Sequence, residues 1–487
     1  MNGRLPDWLA HRAATVPAAE AAVAGDVHLT YRDLNSRVDA TAAGLAATGV
    51  RAGQRVAVLS WNTLEMLEAI HALPRLGATL VPLNARLTAE ELAWQARDAG
   101  VSALLAHPDL LDRASDVTTA AGLATPVELP VRGDGPYPRV DDHDPDDIHS
   151  IIYTSGTTGR PKGAMLSFGN FWWSAVGSAF NLGVVPGDRW LACLPLFHVG
   201  GLSIALRSAI YGTSIVLHRR FDERHVARAL RQDGITLVSV VATMLHRILD
   251  VDPGPAPPGL RVVLTGGGPV PAPLLQRALD LGYPVVQTYG LTEAASQVAT
   301  LSPADARSRA GSAGKPLLTT RLRVDAPPGE PGEILVSGPT VTPGYFRQPD
   351  ATAAAIDDGW LHTGDIGRLD HEGFLYVLDR RDDLIVTGGE NVYPAEVEAA
   401  LLAVPGVAAA AVVGVPDPDW GQMVVAAIVA SRPLPDAEIL LALREHLAGY
   451  KVPRLLVHVD GLPTTANGKV QRHLVRDLVL RRLGKSG

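Results

Sequence analysis

Cysteine is nearly absent. Cys193 stands alone in 487 residues, so neither an internal disulfide nor a cysteine-rich zinc site can form. Aromatic residues make up only 5% of the chain. No apolar run approaches the roughly 18–20 residues of a membrane span. The opening MNGRLPDWLAHRAATVP lacks the charged-then-apolar layout of a secretory leader. A formal net charge of −8 argues against a surface that coats nucleic acid. The 47% hydrophobic share excludes a disordered chain, because burial on that scale offsets the ordering entropy. The expectation is a cytoplasmic globular protein of several domains, at about 100–200 residues each.

Lysine is scarce too, at positions 162, 315, 451, 469 and 485 only, against 38 arginines. In so arginine-biased a chain, a lysine marks chemistry that wants a compact point charge in place of a planar fork. Lys162 and Lys469 each adjoin a glycine and stand out, whereas Lys485, in the tail, reads as a solvated charge.

Over residues 1–125, amphipathic helical patterns alternate with short apolar strands such as QRVAVLS (54–60) and ATLVPLN (78–84). The polar stretch at 130–150 reads as a surface connection. SIIYTSG, RWLACLPL, TSIVLHR, ITLVSVVAT, LRVVLTGGG and YPVVQTYG then alternate with helix-length segments, which predicts parallel βαβ units. From about 311, Pro-Gly turns predict a small antiparallel or barrel-like part, and after Arg381 the pattern resets to a compact α+β unit. The expected class is α/β. A large N-terminal domain (1–381) holds two βα-layered subdomains plus a small β-barrel (about 311–381), and an α+β C-terminal domain follows (382–487).

The strongest local signal is YTSGTTGRPKGAMLS (153–167), directly after an apolar run. Its glycines, serine and threonines free N–H and hydroxyl donors for phosphate oxygens, and Lys162 adds a mobile positive charge. The Walker A spacing is absent. Alone, the segment reads equally well as a polar surface loop, but Tyr153–Gly163 resembles the phosphate loop of the adenylate-forming superfamily. Acyl-CoA synthetases, peptide-synthetase adenylation domains and beetle luciferases belong to it. The resemblance continues in order through FHVGG (197–201), LTGGGPV (264–270), TYGLTEAASQ (288–297), HTGD (362–365), DRRDDLIVTGGENVYPAEVE (379–398) and PTTANGKVQR (463–472).

That resemblance implies an ATP site built from Thr154, Ser155, Gly156, Thr157, Thr158 and Gly159 around the phosphates, with Lys162 beside them. Gly266, Gly267 and Gly268 would lie along the adenine, and Thr288, Tyr289 and Gly290 would supply its aromatic face. Thr292 would meet the α-phosphate, Glu293 would hold Mg²⁺, and Asp365 and Arg380 would contact the ribose or phosphates. His198 and Gly200 would edge the acid pocket, and Lys469 is the implied catalytic lysine. A carboxylate attacking the α-phosphate brings two anions together, which explains the need for Lys162, Lys469 and Mg²⁺. A thiol, CoA, then takes the acyl group. The resemblance also implies a mobile C-terminal domain that turns about Asp382 between the two half-reactions. In the second, Gly388, Gly389, Glu390 and Asn391 would line the thiol's tunnel.

Each residue also has a plainer reading. Glu293 suits a helix start, His362 and Asp365 suit a turn, and Cys193 with Trp172 and Trp173 suit a core. Within the superfamily, GNFWWSAVGSAFNLGV (169–184) and its neighbours resemble the 2-succinylbenzoate–CoA ligases of menaquinone biosynthesis. Their acid carries a second carboxylate, for which Arg207, Ser296 and Gln297 are candidate partners. Arg207 reads equally as a solvated helix charge. One departure is Ala294 and Ala295 after the Thr-Glu pair, where that superfamily usually has hydroxyl residues. A general aryl- or acyl-CoA ligase, and an adenylation enzyme loading a carrier protein in trans, remain alternatives. A homodimer is compatible with each.

Overall fold

The computed structural model describes residues 3–154, 161–268, 270–380, 384–463 and 470–484. Contacts divide the chain into two compact units. The first is Met1–Ala85, Ala93–Tyr153 and Gly163–Leu378; the second is Arg86–Leu92, Thr154–Lys162 and Asp379–Gly487.

Among the described residues the first unit holds a nine-stranded and a six-stranded sheet. In the larger one, Ser214–Leu217, Arg189–Ala192, Leu237–Val240, Val262–Thr265 and Val285–Leu291 pair in parallel. Several of these strands, SIVL, LVSV and VVLT, are buried at every position. Both faces of a parallel sheet are covered, so such strands read as unbroken apolar runs. Because side chains alternate along a strand, Val262 and Leu264 enter one core with Leu202 and Leu206, whereas Val263 enters the other with Leu245 and Leu275. Arg55–Leu59, Thr79–Leu83 and Ala103–Ala106 form the parallel centre of the smaller sheet. An antiparallel five-stranded sheet follows, built on Arg321–Asp325, Gly332–Ser337, Trp360–Leu369 and Leu375–Arg380.

The helix Phe168–Leu182 starts at a reciprocal cap. The Asn170 N–H donates to Ser167 Oγ, and the Ser167 N–H donates to Asn170 Oδ1. It exposes Trp173 and Phe180, while Trp172 packs against the core, so only one of the two tryptophans is a core residue. In the second unit Val407–Asp417 and Gly421–Ala430 make a long antiparallel pair. Val412, Ala426 and Ile428 face the helices Pro394–Leu402 and Asp436–His446, and Ala411, Val425 and Ala427 face Arg472–Arg482.

The stretch 130–150 is only partly a surface connection. Val131 sits against Gly44 so closely that a Cβ there would lie 2.6 Å from it. His143 and His149 are buried, and the His143 ring stacks on Phe168 with centroids 3.9 Å apart. Its local polarity hid two imidazoles that function as flat core rings. With His71 they form a cluster beside Trp8, Asp7 and Phe168. Burial pushes His71 down to about 4, with Asp7 opposing and Arg75 assisting. Burial likewise pushes His149 to about 3, aided by His71 and His143. Folded, these rings exclude protons that the unfolded chain binds below its ordinary value near 6.5. Their stabilisation is therefore complete above that pH and is lost progressively as pH falls from there through the folded values of about 4 and 3. Each excluded proton steepens the fall by about 1.4 kcal/mol per pH unit. His149→Phe, which keeps the edge contact with Phe171 (5.2 Å), should flatten the dependence by about one proton between pH 6 and 4.5. Urea unfolding at stepped pH measures this, and an unchanged slope would remove His149 from the account.

Candidate active site

The carboxyl ends of the parallel strands carry most of the motif residues, the edge at which ligands bind in open α/β sheets. Gly266 and Gly267 follow Val262–Thr265. Gly266 has no room for a side chain, since a Cβ would lie 2.9 Å from Thr288 Cγ2, and Gly267 takes φ +79°. Val285–Leu291 leads into the single turn Thr292–Ala294 and returns antiparallel as Ser296–Thr300. This reversal needs positive φ at Ala295 (51°) and Ser296 (96°). It also brings the Ser296 carbonyl so close to Gly290 that a Cβ would sit 1.8 Å away. Only glycine fits there.

Two carboxylates of the first unit are held by tyrosines. The Tyr289 hydroxyl donates to Asp365 Oδ2 at 2.6 Å, with both residues buried. The Tyr345 hydroxyl donates to Glu293 Oε1 at 2.9 Å. Thr288 uses its hydroxyl across the hairpin, on the Ala299 carbonyl (3.0 Å) and Thr300 Oγ1 (2.8 Å), so its side chain ties the strands together. Among the described residues no group of three or more His, Cys, Asp or Glu could hold a metal. A single hard carboxylate at Glu293 still fits Mg²⁺, which is commonly bound by one or two carboxylates plus phosphates and water.

His198 precedes the helix Val199–Tyr211, its ring 4.8 Å from that of Phe197. Gly200 has open surroundings, the nearest atom being 3.6 Å from a Cβ. The glycine that the turn demands is Gly201, where a Cβ would meet the Pro195 carbonyl at 2.1 Å. On this helix Arg207 is only 3% exposed, which excludes the reading as a solvated charge. Its Nη2 donates to Ser174 Oγ at 3.0 Å, and Ser174 Oγ donates to the Ala295 carbonyl at 2.6 Å. Among the described residues its Nε has no hydrogen-bond partner, nor has either amide atom of buried Gln297. Burial pulls the guanidinium below its ordinary value. Buried polar atoms without partners are rare, and a charged one calls for a counter-ion.

In the second unit Thr154 Oγ1 donates to the Lys162 carbonyl at 3.4 Å, at the start of the strand Lys162–Ser167. Gly388 (φ +57°) and Gly389 (φ +84°) form a turn, where a Cβ on Gly388 would strike the Trp420 ring at 2.7 Å. Glu390 is buried, and its carboxylate accepts from Arg86 at 2.6 Å, so this side chain serves an ion pair within the unit. Asn391 lies on the short strand Glu390–Val392. Arg380 ends the strand Leu375–Arg380. Ser155, Gly156, Thr157, Thr158, Gly159, Asp382 and Lys469 lie outside the described residues. Sequence reasoning missed Ser174, Tyr345 and Arg86, none of which carries a local motif.

Residues 9–346 match the AMP-binding enzyme family, and 396–469 match the AMP-binding enzyme C-terminal domain. The chain belongs to the AMP-binding enzyme family. A 2-succinylbenzoate–CoA ligase of Bacillus thuringiensis subsp. konkukian is 45% identical over 98% of this chain and 99% of that protein. A solved structure of o-succinylbenzoate CoA synthetase from Bacillus subtilis, a double mutant bound with its product analogue, gives a TM-score of 0.93. It is 40% identical and covers 98% of this chain and 99% of that one. The Bacillus subtilis enzyme in complex with ATP and magnesium ion gives 0.75 at 40% identity, covering 98% and 100%.

Tyr289→Phe tests the first tyrosine–carboxylate pair. If Asp365 is the ribose acceptor, losing the hydroxyl that orients it should weaken AMP binding by calorimetry about 5- to 30-fold, the scale of a hydrogen bond of about 1–2 kcal/mol. A change below about twofold would confine the pair to a structural role.

Proposed function

We propose that the chain is a 2-succinylbenzoate–CoA ligase. It activates the acid with ATP to an acyl-adenylate and diphosphate, then transfers the acyl group to CoA, giving 2-succinylbenzoyl-CoA and AMP for menaquinone biosynthesis. The observation that carries this reading is 45% identity over 98% of the chain to an enzyme of that name. Support for the diacid comes from Arg207, a buried cation with no carboxylate partner among the described residues. The same reading places the enzyme in the cytoplasm and accommodates a homodimer, which sedimentation would read directly.

The residue roles follow from the chemistry of the two steps. Lys469 screens the carboxylate against the α-phosphate as the new C–O–P link forms, and Lys162 holds the departing diphosphate. Thr292 donates to the α-phosphate, while Asp365, fixed by Tyr289, accepts from the ribose hydroxyls, with Arg380 nearby. Thr154, Ser155, Gly156, Thr157, Thr158 and Gly159 cradle the phosphates, and the glycines at 266–268 admit the adenine. Bound at Glu293, Mg²⁺ supplies charge neutralisation on the phosphates. His198 and Gly200 edge the acid pocket, in which Arg207, Ser296 and Gln297 meet the second carboxylate. Asp382 is the hinge, and Gly388, Gly389, Glu390 and Asn391 line the tunnel for the CoA thiol.

AMP release over a panel of acids, with CoA or a carrier protein as acceptor, tests the assignment. The diacid with CoA should be fastest, and preference for a monoacid would replace it with a general acyl-CoA ligase. Arg207→Ala should lower kcat/KM for the diacid about 10- to 150-fold, the scale of a lost charge-assisted contact, and hardly alter a monoacid lacking the ring carboxylate. Equal losses would make Arg207 a packing residue. Lys469→Ala should slow adenylation by about 10²–10³-fold and still convert a supplied acyl-adenylate to thioester. Equal loss in both steps would contradict the separation of roles.

A further inference from the structure

Glu293 stands on a turn of three residues, too short to fix a side chain by its own backbone. Its support comes from a distant segment, Thr342–Phe346. The Thr342 N–H donates to the Glu293 carbonyl at 2.7 Å, and the Tyr345 hydroxyl donates to Glu293 Oε1 at 2.9 Å. That segment is itself fastened along the strand Lys162–Ser167. The Met165 N–H donates to the Gly344 carbonyl (3.0 Å), and the Phe346 N–H donates to the Gly163 carbonyl (2.8 Å). Thr342 Oγ1 donates to the Met165 carbonyl (2.5 Å), and Ala164 and Tyr345 form a bridge. The Tyr345 N–H donates to Thr352 Oγ1 at 2.9 Å, and at Gly344 (φ +142°) a Cβ would lie 2.5 Å from Thr352 Cγ2. Tyr345 therefore has little freedom of its own; it is 9% exposed and anchored on both sides of its backbone.

From this geometry we infer that Tyr345 is a positioning residue for the cation carboxylate: its hydroxyl holds Glu293 Oε1 so that the carboxylate meets Mg²⁺ in one orientation. The inference rests on the reading of Glu293 as the Mg²⁺ ligand. A phenol hydroxyl suits the role because it donates one hydrogen bond, remains neutral at working pH and adds no competing charge. Hydrogen bonds that orient a ligating carboxylate are a regular part of metal sites. The same contacts couple Glu293 to the strand that follows the phosphate loop, so one rigid segment sets the carboxylate against residues 163–167.

The test uses the full-length enzyme, Mn²⁺ as the paramagnetic probe and α,β-methylene-ATP as a nucleotide that cannot be adenylated. Free Mn²⁺ is counted by electron paramagnetic resonance. Tyr345→Phe keeps the ring and removes the hydroxyl. It should weaken Mn²⁺ in the ternary complex about 10-fold, the low end for groups that orient a metal ligand. Glu293→Gln should weaken it more, and adding Tyr345→Phe to Glu293→Gln should change it less than about twofold, because the hydroxyl acts only through the carboxylate. Unchanged Mn²⁺ affinity in Tyr345→Phe overturns the inference. An equal loss in both backgrounds also overturns it, since Tyr345 would then act through packing. Unchanged affinity in Glu293→Gln instead overturns the underlying assignment of the carboxylate, a result distinct from either.

Discussion

The close approach of the Ser296 carbonyl to Gly290 is the constraint on which the turn carrying Thr292 and Glu293 depends. Strand Val285–Leu291 leaves the parallel sheet, turns through three residues and returns at once, so two backbones run within a space that admits no Cβ. The register slips between Tyr289 and Gly290, which turns the residues before and after the slip differently. Before it, Tyr289 is buried and reaches Asp365; after it, Thr292 and Glu293 stand at the sheet's carboxyl edge. The positive φ values at Ala295 and Ser296 are the cost of that reversal, and strain of this kind gathers at functional sites. Ala294 and Ala295, the departure from the superfamily's hydroxyl residues, are both fully buried. Small apolar side chains fill the inside of the turn, and the Ala295 carbonyl is left to accept from Ser174.

Each unit holds a closed network of buried charges. In the second, Lys451 is buried between Glu91 (2.6 Å) and Glu396 (2.7 Å). Burial alone would lower its ammonium, but Glu396 and Glu91 outweigh that and raise it. In the first, Arg75 is fully buried and paired with Asp7 and Asp39, and fully buried Glu68 is paired with Arg37 and Arg132. These are closed networks, and breaking one partner would strand a charge.

Much of this was legible in the sequence, for identifiable reasons. The parallel strands declared themselves because burial on both faces demands unbroken apolar runs such as VVLT and SIVL. The glycines at 266, 267 and 290 and the Thr-Glu pair were legible through the resemblance to the adenylate-forming superfamily, and close backbone approach explains the glycines at 266 and 290. What escaped was tertiary. Nothing local distinguishes a buried arginine at 207 from a solvated one, or a tyrosine at 345 from any other partly buried ring. Nor does spacing reveal that Glu390, inside a glycine-rich motif, is matched to Arg86. The polar stretch 130–150 misled for the same reason, because His143 and His149 are polar by type but buried as rings. Scarcity of lysine pointed at loops, while buried Lys451 shows that a compact ammonium also suits a site between two carboxylates.

Against those closed networks Arg207 is an exception. It is as buried as Lys451, each being 3% exposed. Yet among the described residues its guanidinium meets the Ser174 hydroxyl and no carboxylate. A hydroxyl cannot neutralise a cation, and a charge in a low-dielectric interior without a counter-ion costs several kcal/mol. Folding could have avoided that cost with an apolar residue on the same helix. Buried Gln297 repeats the pattern, with both amide atoms unmatched among the described residues. On the proposed reading, an anion supplied from outside would resolve both, because its oxygens accept from guanidinium and amide alike. Such an arrangement discriminates by what it leaves unmatched. A monoacid would occupy the same volume and leave the cation bare, whereas a diacid brings the missing charge. On the proposed reading of Arg207, specificity for a second carboxylate would follow from the cost of its unmatched charge.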